Sequence, residues 1–338
     1  MSDRNTVQKK RVFSGVQPSG DLHIGNYLGA IKRWAAQQDD KESYFCIVDM
    51  HAITVPQDVE VLRRLTRDVA ALYIAAGIDP QLSTIFIQSH VSAHAESTWI
   101  LNCVTPVGWL ERMTQYKVKA AAQESVSMGL LDYPVLQASD ILLYDANEVP
   151  VGEDQKQHVE LTRDIAGRFN RIYGETFVLP EAVLPESGAR IRALNDPTRK
   201  MSKSEAMVRG HAVRLVDEPD EIHYVLRRAV TDTGREIRFS DQPEKAGVNN
   251  LLEIYELLTG QGRLEIEAHF SGKGYAALKD DVAEVVIEAL RPIRERYRVL
   301  ISDTSELDAI LAAGAEKARS IAEPKIEEMK RRVGFLPA

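Results

Sequence analysis

Two rhythms of apolar residues run along the chain. Short, nearly continuous β-branched or aromatic runs fall at Arg11–Val16, Tyr44–Val48 and Thr84–Gln88. Unbroken runs of this kind suit strands buried on both faces of a parallel sheet. Between them the period lengthens. In the stretch Ile24–Gln38, Leu28, Ile31, Trp34 and Ala35 share one helical face, and Val59–Ala76 is amphipathic up to Gly77. The order βαβαβ predicts an α/β fold, a Rossmann-type doubly wound parallel sheet with right-handed crossovers. Ligands collect at the carboxyl ends of strands in such sheets.

Further helices are expected at Glu96–Cys103, Leu110–Glu124 and Val135–Tyr144. A short strand, Val149–Gly152, leads into a helix over Gln155–Tyr173. After Lys203 only the helical period remains, at Asp220–Ala229, Leu251–Leu258, Lys279–Leu290 and Glu306–Met329. The Pro-, Gly- and Arg-containing stretch Leu184–Ser204 is the natural boundary. This divides the chain into a Rossmann part (residues 1–204), a helical part (205–298) and C-terminal helices (299–338) expected to pack back on the first.

Composition narrows the class without naming it. The chain has 338 residues, 44% hydrophobic and 27% charged, as in ordinary globular proteins. No apolar run is long enough for a membrane helix, and the polar, basic start Met1–Arg11 lacks the apolar core of a secretory signal, so a cytoplasmic protein is expected. The net charge of −8 argues against nonspecific coating of nucleic acid. Lys9–Lys10–Arg11, Arg190/Arg192/Arg199 and Lys330–Arg331–Arg332 remain as candidate basic patches, though such runs are more often solvated faces. Cys46 and Cys103 lack CxxC spacing and read as reduced core residues, and no metal-ligand spacing stands out.

Four segments could carry chemistry. Phe13–Asn26 runs from a strand through a glycine and proline turn into a helix, where Gln17, Pro18, Ser19, His23, Gly25 and Asn26 surround backbone N–H groups suited to phosphate. Arg199–Ser204 contains Lys200, Met201, Ser202, Lys203 and Ser204, and two lysines on a boundary loop can clamp a triphosphate. Gly152, Glu153, Asp154 and Gln155 open a helix at the end of a strand. Tyr133, Gln137 and Asp140 lie at i, i+4 and i+7 on one helical face among residues that want burial. A buried carboxylate there needs a donor, from the protein or from a ligand. GxxxxGK[ST], GxGxxG and GxSxG are all absent, which excludes P-loop ATPases, common dinucleotide enzymes and the α/β-hydrolase elbow.

His23-Ile24-Gly25-Asn26 followed by Lys200-Met201-Ser202-Lys203-Ser204 resembles the paired motifs of the class I aminoacyl-tRNA synthetases. Phe13–Gly20, Tyr44–Thr54, Leu110–Gln115 and Gly152–His158 resemble the bacterial tryptophanyl branch, and the likeness spans roughly residues 11–332. It implies activation of tryptophan with ATP and Mg²⁺, transfer to the 3′-end of tRNA(Trp), a homodimer, and an anticodon-reading helical region. It further implies that Gln17–Ser19, Gly25–Asn26, Gly152–Asp154 and Ile191 contact ATP. Lys119, Lys200 and Lys203 would hold its phosphates. Asp140 would fix the amino acid, with Phe13, His51, Tyr133 and Gln155 lining its pocket. Asn26 departs from the general class motif, and Gln137 stands where methionine is expected. The Tyr133/Gln137/Asp140 face also resembles tyrosyl-tRNA synthetases, which keeps tyrosine open as the amino acid. A binding-only paralogue is the alternative outside enzymes.

Overall fold

The computed structural model describes residues 9–19, 21–121, 123–184, 191–203 and 205–337. The strands are β1 (Arg11–Val16), β2 (Glu42–Ile47), β3 (Thr84–Ile87), β4 (Glu148–Pro150) and β5 (Glu181–Val183). All are parallel, in the order β3-β2-β1-β4-β5, so the chain reverses its direction of travel between β1 and β4. That reversal opens a crevice above β1 and β4, where this topology places ligands. Alternation along β2 explains the two layers. Phe45 and Ile47 face one core, and Tyr44 and Cys46 the other.

In chain order the helices are α1 (residues 24–37), α2 (Asp49–Ala52), α3 (Val59–Ala75), α4 (Ala93–Asn102), α5 (Val107–Glu111), α6 (Thr114–Ala121), α7 (Met128–Leu142) and α8 (Lys156–Tyr173). They are followed by α9 (Pro219–Arg227), α10 (Ala246–Thr259), α11 (Arg263–His269), α12 (Tyr275–Ser302) and α13 (Ser305–Val333). A single π-turn over Tyr27–Ile31 widens α1 directly after the His-Ile-Gly-Asn segment.

Several expectations change. The helix expected over Leu110–Glu124 is two, α5 and α6, broken at Arg112–Met113. The helix expected from Val135 begins at Met128, because Ser127 caps it by accepting the Leu130 N–H at 3.2 Å. Pro134 is carried inside that helix rather than ending it. Strand β5 and helix α11 are short elements that periodicity did not mark. Cys103 is exposed, not in the core, whereas Cys46 is buried.

One apolar core joins a face of the sheet to α9, α10 and α12 across the 204/205 position. Helix α12 runs unbroken through residues 298 and 299. The last helix, α13, lies against β3 and α4. Its approach is close enough that a Cβ on Gly314 would fall 1.9 Å from the Ile85 carbonyl oxygen. The basic patches are largely paired. Lys10 meets Glu148, Arg11 meets Glu42, and Lys330 meets Glu96 and Glu327; Arg190 lies outside the described residues.

Candidate active site

A cavity of about 330 Å³ opens at the carboxyl ends of β1 and β4. Phe13, Ser14, Gly15 and Gln17 line it from β1 and the turn after it, and Val151, Gly152 and Gln155 from the turn after β4. His51 enters from α2 and Thr54 from the turn after it, Lys119 from α6, and Tyr133, Gln137, Asp140 and Ile141 from α7. The three polar residues of the α7 face are thus together, as their spacing required.

Asp140 is 1% exposed and is the most heavily bonded side chain of the site. Its Oδ1 accepts from Gln88 Nε2 at 2.7 Å and faces His94 Nδ1 at 2.6 Å, and its Oδ2 faces His51 Nε2 at 2.9 Å. Burial alone would raise its pKa, but the hydrogen bonds to His51 and His94 outweigh that and hold it at about 2. The carboxylate is therefore an ionised acceptor at neutral pH. Gln88 and His94 belong to no motif and escaped the sequence reading. Gln88 directly follows β3 and is fully buried; its place at a strand's carboxyl end was the one weak mark the sequence carried.

Tyr133 is buried and its hydroxyl meets His158 Nε2 at 2.9 Å. Burial pushes the Tyr133 phenol up to about 12 and the His158 imidazole down to about 4. The Lys119 ammonium stands 4.8 Å from the Tyr133 ring centroid, and burial lowers its pKa. Phe13 closes another wall and stacks on Tyr144 at 5.4 Å.

The second half of the site is built by two distant segments meeting edge to edge. Ile24 N–H donates to the Val213 carbonyl and Leu215 N–H to the Leu22 carbonyl, so the start of α1 is tied to the strand-like segment after the lysine loop. Met201, 2% exposed, anchors that loop: its Sδ would lie 3.4 Å from a Cβ on Gly25. Met201 N–H also donates to the Ile191 carbonyl, which places buried Ile191 under the loop. Gly25 therefore has no side chain because His23 and Met201 occupy the space. The Asn26 side chain accepts the His23 N–H at 3.1 Å, which fixes the turn before α1.

Two lysines flank this contact. Lys203 Nζ donates to the Gln17 carbonyl at 2.6 Å, and burial lowers its pKa to about 8. Lys200 Nζ sits 3.9 Å from where a Cβ of Gly152 would be, so it borders the turn after β4. His23 is 2% exposed, and both its ring nitrogens lack partners among the described residues. Burial, then His211, Lys203 and Lys200, bring its pKa down to about 3. Ser202 N–H donates to His211 Nε2 at 3.0 Å, while the buried Ser202 hydroxyl lacks a partner among the described residues. Neutral donors left unpaired beside two ammonium groups are what an anionic ligand would satisfy. Pro18 and Ser19 shape the approach, with Ser19 N–H donating to the Gln17 carbonyl at 2.9 Å.

Not every expected residue reaches the cavity. Glu153 and Asp154 are exposed and border a separate surface depression with Thr114 and Gln157. Ser204 lies outside the described residues. Among the described residues no three His, Cys, Asp or Glu side chains converge as metal ligands, and no helix is long and apolar enough to cross a membrane.

The comparisons with known proteins agree with this layout. The family model described as tRNA synthetases class I (W and Y) matches residues 5–291. A tryptophan–tRNA ligase of Caldanaerobacter subterraneus is 53% identical over 97% of this chain and 99% of that protein. The tryptophanyl-tRNA synthetase structure from Mycoplasma pneumoniae superposes with a TM-score of 0.87 at 33% identity, covering 97% of this chain and 99% of that one. The Campylobacter jejuni enzyme, solved with ADP and tryptophan, superposes at 0.85 with 39% identity, covering 96% and 100%. The chain belongs to the class I tRNA synthetases of the tryptophan and tyrosine type and, within them, to the tryptophan–tRNA ligases.

Proposed function

We propose that the cavity seats tryptophan with its indole N–H on the Asp140 carboxylate, and that ATP lies across the contact between the α1 start and the lysine loop. The observation that carries this reading is Asp140, held ionised at the floor of a cavity whose mouth carries Lys119, Gln17 and Gly152. The tryptophan carboxylate attacks the α-phosphorus of ATP. The bond to pyrophosphate breaks and tryptophanyl-adenylate forms. No side chain is needed as a nucleophile, so catalysis is positioning and charge stabilisation. Lys200 and Lys203 hold the leaving pyrophosphate, and Lys119 an α-phosphate oxygen. His23, neutral because it is buried, donates to phosphate rather than adding charge. Gly152 and Ile191 bound the adenosine, with Gln155 at the cavity edge. Magnesium arrives bound to ATP, and no step is assigned to it.

A 3′-terminal ribose hydroxyl of tRNA(Trp) then attacks the adenylate's carbonyl carbon, forming the tryptophanyl ester as the acyl–phosphate bond breaks and AMP leaves. Residues 205–298 read the anticodon in this proposal, and the chain acts as a homodimer. Supporting the dimer, Trp99 on α4 and Met128 on α7 are 69% and 74% exposed on helices that pack together, leaving apolar surface for a second copy. Sedimentation at micromolar concentration reports the assembly, and a monomer there would remove it. The reaction is tested by ATP–pyrophosphate exchange without tRNA, supplying tryptophan, tyrosine or phenylalanine in turn. Exchange with tryptophan alone is expected. Exchange with tyrosine instead would overturn the pocket assignment, and exchange with none the activation step.

A further inference from the structure

We propose that His94, clamped between Asp140 and Tyr144 behind the cavity wall, is a positioning residue that points Asp140's free lone pair at the amino acid; the inference rests on the amino-acid site proposed above.

Oδ1 of Asp140 takes two contacts, Gln88 Nε2 and His94 Nδ1. Oδ2 takes one, His51 Nε2. Each carboxylate oxygen accepts about two hydrogen bonds in the carboxyl plane. Oδ1 is filled from the protein side and Oδ2 keeps one position open. The cavity walls agree, because Asp140 and His51 line it while Gln88 and His94 do not. A donor on the ligand therefore meets Oδ2.

The chain behind Oδ1 has a direction. Tyr144 is fully buried and its phenol pKa is raised by burial, so the hydroxyl stays protonated. It donates to His94 Nε2 across 2.9 Å, which leaves Nδ1 as the protonated nitrogen facing Oδ1. Gln88 is oriented the same way. Its Oε1 accepts the Met50 N–H at 3.2 Å, so its NH₂ end must face Asp140. His94 cannot turn aside, since its backbone carbonyl takes the Ser139 hydroxyl at 2.9 Å and the ring is completely buried. The titratable groups facing the carboxylate are His51 from α2, His94 from α4, Cys46 from β2 and Tyr144 from the turn after α7; Cys46 and Tyr144 are both neutral. Of these titratable groups the two histidines hold the charge in place, together with the neutral Gln88 amide.

The experiment compares His94→Leu, His94→Asn and Tyr144→Phe in tRNA-free pyrophosphate exchange from pH 5 to 8. Asn can keep a donor near Nδ1, and Leu cannot. His94→Leu is expected to raise the tryptophan KM about ten- to a hundredfold, as loss of a supporting hydrogen bond does elsewhere. The KM for ATP and kcat should stay within about threefold, since neither depends on the carboxylate. The tryptophan KM of His94→Leu should also climb toward pH 5, while that of the wild type stays flat. His94→Asn should recover most of the loss, and Tyr144→Phe should show a smaller loss of the same kind. Equal rises in both KM values, or a tryptophan KM in His94→Leu that is near wild type and flat with pH, would overturn the positioning role. Wild-type protein is measured first; if it gives no tryptophan-dependent exchange, the amino-acid site itself is wrong and the His94 proposal falls with it.

Discussion

Lys203 offers a test that needs no mutation at first. Its ammonium is pulled among protein atoms by the bond to the Gln17 carbonyl, and its pKa falls to about 8. A free lysine titrates near 10.4. If the charged form is what binds ATP phosphates, the free enzyme loses that form as pH rises through about 8. Roughly nine-tenths carries the charge at pH 7 and roughly one-tenth at pH 9. The kcat/KM for ATP, which reports the free enzyme, should thus fall about tenfold between those values at saturating tryptophan. An unshifted lysine would leave it nearly level. Lys203→Arg keeps its charge throughout and should abolish the alkaline limb, even at lower overall activity. Lys203→Ala should slow exchange greatly while tryptophan binding stays near normal. A wild-type profile flat to pH 9.5, or a limb that persists in Lys203→Arg, would refute the assignment of that charge to the phosphates.

Other expectations follow from the same contacts. Asp140→Asn keeps the shape of the side chain but turns one oxygen into a donor, so the tryptophan KM should rise at least about tenfold with the ATP KM little changed; an unchanged tryptophan KM would remove Asp140 from the pocket. Gly314→Ala puts a methyl 1.9 Å from the Ile85 carbonyl, a backbone atom that cannot swing away, and should cost about 1–3 kcal/mol in urea unfolding. Stability equal to wild type would mean α13 does not lie on β3 as described. His23 and His158 titrate at about 3 and about 4 in the fold, below the ordinary value near 6.5. The unfolded chain therefore binds their protons first, and stability present above about pH 6.5 is lost as pH falls toward 4. Between pH 7 and 5 the loss should be about 2 kcal/mol for each histidine, read from urea melts at the two pH values. No difference between them would mean these rings are not buried neutral.

Local periodicity carried most of the fold because the strands that matter are buried on both faces. β1, β2 and β3 read as apolar runs and were placed to within two residues. What it missed were elements whose signal is tertiary. β5 is three residues long and exists because it pairs with β4. The start of α7 was hidden behind Pro134, a helix breaker by local rules that tertiary packing overrides here. The site divides along the same line. Motif residues close in sequence, such as Gly25, Asn26, Lys200 and Lys203, were visible in their own segments. Gln88 and His94 were not, because a lone buried glutamine or histidine looks like any other core polar residue until its partner is known.

That division has a physical reason beyond the limits of pattern. The half proposed to hold phosphate would work through backbone N–H groups, glycines and point charges, which leave local marks in sequence. The half proposed to hold the amino acid would work through one carboxylate, Asp140, which is contacted by side chains from three separate elements: His51 on α2, Gln88 after β3 and His94 on α4. No single segment contains that information, since each residue has meaning only against Asp140. The two halves also differ in how they are held together. The proposed phosphate half is joined by the buried approach of Met201 to Gly25 and by a few backbone hydrogen bonds, Ile24 N–H to the Val213 carbonyl and Leu215 N–H to the Leu22 carbonyl, a thin seam between segments about 175 residues apart. The Asp140 network is stitched by charge-assisted bonds inside a full core, where opening would strand an ionised carboxylate at high cost. Enlarging Gly25 to alanine should therefore disturb ATP and spare tryptophan, because the added methyl must push His23 or Met201 aside at the seam and reaches nothing in the network. A Gly25→Ala enzyme whose tryptophan KM rises as much as its ATP KM would show that the two halves move as one body.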